Sequence, residues 1–164
     1  MTDLLILVPE LVLVAMALVL ILVARHVRRA QIATASVVVA AAAAACAVWI
    51  IALEGPRTGF GGTIVSDGYG WFFKVLFAAT LALAALFSVR HLEEERVPPA
   101  EYSALLLLAS TGMMLAASAV DLLILYLGLE LMIVCSYVLV GITRDRPISN
   151  EAAVKYFLLG SFAS

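Results

Sequence analysis

Leu4–Ala24, Ile32–Leu53, Gly70–Val89, Tyr102–Val120 and Leu122–Ile142 are runs of mostly apolar residues, broken by very few charges. A helix needs about 20 such residues to cross the hydrocarbon core of a bilayer. Across the chain 65% of residues are hydrophobic and 13% are charged. Soluble domains hold about 45–50% and about 25%. A soluble fold of 164 residues has no interior large enough for that much apolar surface, so lipid must be the solvent for most of it. The expected fold class is an all-α membrane protein, a polytopic transmembrane helix bundle.

The runs also set the connections. Read as one helix, Tyr102–Ile142 would be about 60 Å long, twice the hydrocarbon thickness. The chain must therefore turn back near Ser118–Asp121, and Asp121 can cap the helix that follows. The Ala-rich centre of Ile32–Leu53 suits close helix packing. Gly55–Gly70, rich in glycine and holding Pro56, reads as a loop, and Val97-Pro98-Pro99 as a short rigid connector. A sixth segment opens at Ser149–Asn150, where either residue can act as cap and Glu151 suits the positive end of the helix dipole. Residues 150–164 are too few to span a bilayer. The expectation is one transmembrane domain over 1–164, with five complete spans, a partial sixth and a truncated C-terminus.

Arginine and lysine give an orientation. Arg25, Arg28 and Arg29 follow the first span, Arg90 and Arg96 the third, and Arg144, Arg146 and Lys155 the fifth. The opposite side holds Arg57, with Lys74 near a helix end. The N-terminus is expected outside, towards the periplasm, in a multi-pass chain of the cell (inner) membrane. Asp3 and Glu10 near the start, with positive charge after the apolar run, argue for a retained first helix and against a signal peptide.

Several classes of chemistry are excluded. The net charge is −2 and no basic stripe could track a nucleic acid. Cys46 and Cys135 are separate thiols inside apolar runs, and His26 and His91 read as interfacial side chains. No metal-binding spacing, P-loop, dinucleotide fingerprint or CxxC pair occurs. No group in the chain could itself oxidise a substrate.

Glu130 breaks the rule of the runs. It lies about nine residues into its span, near the bilayer midplane, where a charge costs at least ~2.5–3.5 kcal/mol. Glutamate is too short to reach water from that depth. A carboxyl balanced between desolvation and a cationic partner can take up and release a proton near neutral pH. The alternative role is a protonated acid that hydrogen-bonds between helices. Tyr126 and Tyr137 share its face by i+4 and i+7 steps, Ser136 lies close by, and the facing run offers Ser110, Thr111 and Ser118. These could form a proton path, or the tyrosines could mark interfaces while the hydroxyls bond their own backbone. Lys155 lies four residues after Glu151, a spacing for a surface ion pair; its functional alternative is a cation at the cytoplasmic mouth of the bundle. Lys74 and Glu10 are expected at the outer interface, Lys74 by extending its stem to water.

The stretch from Glu101 to Ile142 resembles subunit N of NADH-quinone oxidoreductase, respiratory complex I, in the antiporter-like proton-translocating family. The GMM of Gly112–Met114, the SAVDLL of Ser118–Leu123 and the LGLEL of Leu127–Leu131 carry the likeness. EAAVKYFLLG at Glu151–Gly160 and the Pro9-Glu10 pair also match. The likeness is strong over 98–164 and weaker over 1–97.

The resemblance implies the first part of a fold of about fourteen helices. Glu130 would be a proton-pathway residue and Lys155 would match the lysine that begins the sixth helix. The family's central lysines would fall beyond Ser164. The implied function is proton translocation, coupled to electron transfer from NADH to quinone in other subunits. Those subunits would hold the FMN and iron–sulfur clusters, with no cofactor or metal bound by this chain. The partners implied are other membrane subunits of the complex and the lipid bilayer. The alternatives are a subunit of a multisubunit cation/proton antiporter or membrane-bound hydrogenase, and a non-catalytic assembly piece.

Overall fold

The computed structural model describes residues 2–24, 27 and 29–163. Arg25, His26 and Arg28, expected in the basic loop after the first span, lie outside the described residues.

The first apolar run does not form one helix. It gives α1 (Thr2–Ile6) and α2 (Val8–Val23), separated at Leu7. Pro9 is the cause: its ring clashes with the carbonyl four residues back and it has no N–H to donate. α2 has 16 residues, so it is about 24 Å long. The remaining helices are α3 (Ala30–Leu53), α4 (Gly68–Glu94), α5 (Pro99–Ser118), α6 (Leu122–Val140) and α7 (Pro147–Ala163). Four of them, α3 to α6, are long and apolar enough to cross a bilayer. The protein is a helical, multi-pass membrane protein.

The glycine-rich segment expected as a loop forms a hairpin. β1 (Arg57–Gly59) pairs antiparallel with β2 (Ile64–Ser66), with Arg57 opposite Ser66 and Gly59 opposite Ile64. Gly61 and Gly62, at φ +68° and +92°, make the reversal, in a region where a side chain would be strained. The hairpin ties distant parts together. Phe60 N donates to Asp3 Oδ2 at 3.2 Å. The Thr63 carbonyl accepts from both Val120 N and Asp121 N, at 2.9 and 3.3 Å. The turn between α5 and α6 is thus braced from outside its own helices.

Helix ends follow local chemistry. Asp67 caps α4 by accepting from Gly70 N at 2.8 Å, so α4 starts two residues before the expected Gly70 and continues past Arg90 to Glu94. At its end Val97 N donates to the Leu92 carbonyl at 3.1 Å while Arg96 turns at φ +53°, the reversed closure usually given to glycine. Asp121 caps α6 through Leu123 N at 2.7 Å, as its position predicts. Ser149 and Asn150 do not cap the last helix, which opens at Pro147. Ser149 Oγ instead donates to the Val140 carbonyl and Asn150 Nδ2 to the Arg144 carbonyl, at 2.7 and 2.9 Å. They stitch the turn before α7.

The core is built from small residues. Leu13 and Ala17 of α2, Ala40 and Ala44 of α3, Ala78 and Ala85 of α4, and Ala104 and Leu107 of α5 are buried together. Between helices in lipid, close backbone approach replaces the hydrophobic drive available in water. α2 and α4 each pack along α3 and α5; α6 lies against α5, and α7 against α6. The helix that carries Glu130 therefore flanks a four-helix body, with its own buried residues limited to Gly128 and Cys135.

Candidate functional site

Glu130 is half-buried on α6, two residues from a close crossing of α5 and α6. A Cβ placed on Gly112 would meet the Gly128 carbonyl oxygen at 2.5 Å and Met132 N at 2.9 Å. One placed on Gly128 would meet Ala116 N and the Gly112 oxygen, both at 2.8 Å. Those partners are backbone, which cannot step aside as a flexible side chain can. Only glycine at both positions lets α5 and α6 touch this closely, and the contact fixes the height and rotation of Glu130 relative to the body.

The hydroxyls proposed as its neighbours are committed to their own helices. Thr111 Oγ1 donates to the Leu107 carbonyl at 2.9 Å, Ser118 Oγ to Met114 at 3.1 Å and Ser136 Oγ to Met132 at 2.9 Å. This is the back-bonding common to serine and threonine in helices. Ser110, Thr111 and Ser118 are buried. Ser118 lies at the α4 side of α5, where a Cβ on Gly70 would come within 3.8 Å of its Oγ. Tyr126 is exposed one turn before Glu130.

Tyr137 lies seven residues, about two turns, beyond Glu130 on the same helix. Its ring is held edge-on by Tyr156 and Phe157 of α7, at centroid distances of 4.9 and 5.6 Å. The hydroxyl lies against Gly160, where a side chain would collide with it. Tyr137 is thus the joint between α6 and α7. Lys155, also on α7, is exposed and pairs with Glu151 at 2.5 Å. The surface ion pair anticipated from their spacing is formed.

Two residues contradict their expected place. Lys74 and Glu10 do not reach water: they are 2% and 4% exposed and form an ion pair at 2.8 Å. Lys74 Nζ also donates to the Ile6 carbonyl at 3.3 Å. The stem of Lys74 lies in the bundle because a carboxylate and a free carbonyl wait for it there, so it has no need to extend to water. Opposite charges assigned to the same end of two spans were the signal that a pair was available.

At the other end, Arg144 reaches Glu101 at 3.6 Å and Arg146 pairs with Glu95, joining the turn before α7 to the start of α5 and the end of α4. Among the described residues no group of three His, Cys, Asp or Glu side chains could hold a metal ion.

Comparison with known proteins places this geometry. Residues 119–164, from the braced turn through Glu130 and Lys155, match the family described as NADH:quinone oxidoreductase/Mrp antiporter, TM. NADH-quinone oxidoreductase subunit N 2 of Rhizobium meliloti (strain 1021) is 39% identical over 158 residues, covering 96% of this chain and 33% of that protein. NADH-quinone oxidoreductase subunit N of Desulfovibrio desulfuricans (strain ATCC 27774 / DSM 6949 / MB) is 40% identical over 165 residues, covering 100% of this chain and 33% of that protein. The chain spans about a third of the length of these curated relatives. In a solved structure, respiratory complex I from Thermus thermophilus with bound aureothin, one chain superposes with a TM-score of 0.73 at 26% identity, over 94% of this chain and 33% of that one. In sequence and in helix arrangement alike, the chain belongs to the subunit N family of NADH-quinone oxidoreductase.

Proposed function

We propose that this chain serves in the membrane part of an NADH-quinone oxidoreductase, respiratory complex I, as a segment of a proton-translocating subunit. Electron transfer from NADH to quinone takes place in other subunits, which carry the FMN and iron–sulfur clusters, and this chain supplies part of the proton conduit. Its partners are the other membrane subunits and the bilayer. By the arginine pattern, the hairpin end faces the periplasm and the turn before α7 faces the cytoplasm.

The observation that carries this reading is Glu130 itself. An acid halfway along an apolar helix costs at least ~2.5–3.5 kcal/mol, and here a glycine-on-glycine contact holds it in one position. Glu130 is the group that takes up and releases the proton, and Lys155 tunes the route from its cytoplasmic end. The subunit N names of the relatives support the same assignment. The test is Glu130→Gln in the assembled complex. Proton pumping per NADH oxidised should fall several-fold while the complex still assembles; pumping at the native level overturns the reading. The matched family description also names Mrp antiporters, so a second reading is a cation/proton antiporter subunit. Cation exchange by the purified assembly without NADH oxidation would favour it.

A further inference from the structure

Glu10 and Lys74 do something the proton route does not require. Their side chains are 5% and 2% exposed, and they meet at 2.8 Å from two helices, α2 and α4, that otherwise pack on α3 and α5 more than on each other. The contact is one of charge more than of hydrogen-bond direction: among the described residues neither Glu10 carboxylate oxygen accepts a well-aligned hydrogen bond. Lys74 also reaches the Ile6 carbonyl, freed by the break at Leu7.

A buried ion pair is a poor source of stability, because both charges lose their water. Two apolar side chains of similar volume would fill the space at least as well. A lone charge in its place is far worse, since nothing in lipid compensates it. Such a pair therefore discriminates between arrangements. Only the packing that brings position 10 of α2 level with position 74 of α4 satisfies both residues. A slip of α2 along the bundle by one turn, about 5.4 Å, leaves both charges bare.

We infer that Glu10 and Lys74 form a charge latch that sets the register of α1 and α2 against α4 as the bundle assembles in the membrane. The latch is reciprocal and needs no titration. It is independent of the role given to Glu130, and its first readout is abundance instead of transport.

The test is made on the native chain in its own membrane assembly. Glu10→Gln and Lys74→Met should each lower the amount of folded chain in the membrane by about tenfold or more, since each strands a buried charge. The apolar double variant Glu10→Leu/Lys74→Met should be several-fold more abundant than either single variant, short of native only by the lost donor to the Ile6 carbonyl, and the exchange Glu10→Lys/Lys74→Glu should recover part of the loss. Single variants at native abundance overturn the latch. So does an apolar double variant no more abundant than the singles, which would show that the two charges act separately. An apolar double variant of native abundance that has lost proton pumping also overturns it, because the pair would then have a chemical role.

Discussion

Gly112 and Gly128 bring α5 and α6 together backbone to backbone, so that a Cβ on either would lie within 2.8 Å of the other residue's carbonyl oxygen. The crossing lies half a turn from Glu130 and has no slack. Gly128→Ala should push the helices apart and destabilise the protein by roughly 1–3 kcal/mol, the usual cost of overpacking. Gly112→Ala should cost at least as much. Thermal unfolding of the detergent-solubilised protein checks both, and a native melting temperature in either variant would refute the close crossing.

The joint between α6 and α7 makes a prediction of its own kind. Gly160→Ala places a methyl group where the Tyr137 hydroxyl lies, so the ring must leave its seat against Tyr156 and Phe157. Losing those edge-on contacts should cost about 1–2 kcal/mol. Removing the hydroxyl with Tyr137→Phe relieves the worst contact, although the ring Cζ would still lie 2.6 Å from the methyl group and must shift. The double variant should thus be more stable than Gly160→Ala alone, as a double-mutant cycle of melting temperatures would show.

Lys155 and Glu151 form an exposed pair one helical turn apart. Exposed pairs of this kind contribute about 0.3–0.5 kcal/mol. Lys155→Met should therefore leave the melting temperature unchanged within about 2 °C. Any loss of pumping by that variant in the assembled complex then reports on the proton route and not on the fold. Unchanged pumping would remove Lys155 from the proposed mechanism.

Asp121 is the side-chain cap of α6. Asp121→Ala should cost roughly 0.5–2 kcal/mol, while Asp121→Asn, which keeps an accepting oxygen, should cost much less. Equal losses in the two variants would show that the charge, and not the hydrogen bond, supports the helix.

Much of this was legible in the chain. The turn at Ser118–Asp121, the Asp121 cap and the placement of α3 to α6 follow from run length and residue type, which are local properties. Glu130 stood out because one acid in an apolar run is visible without a structure. The break at Leu7 was less apparent, since Pro9 is tolerated in a first helical turn and an apolar run does not show where that turn begins. The hairpin at Arg57–Ser66 was hidden because three-residue strands in a glycine-rich loop carry almost no periodic signal. The Glu10–Lys74 pair escaped for a different reason. Each residue lies near a helix end, where solvent is the default partner, and only the packing of α2 and α4 in one bundle removes that option. The hydroxyl groups near Glu130 left two readings open, and hydrogen-bond geometry decides for the backbone at Thr111, Ser118 and Ser136.

The break at Leu7 has a consequence for the lysine beneath it. A helix interrupted in water can leave its last carbonyls to the solvent, but one interrupted in hydrocarbon must find a donor within the protein. Lys74 is that donor for Ile6, and so it answers the break that Pro9 imposes far earlier in the chain. Pro9 and Lys74 are in this sense one feature written in two places. A chain that straightened its first span by losing the proline would withdraw one of the lysine's two partners, and with it part of the reason for burying a cation there at all.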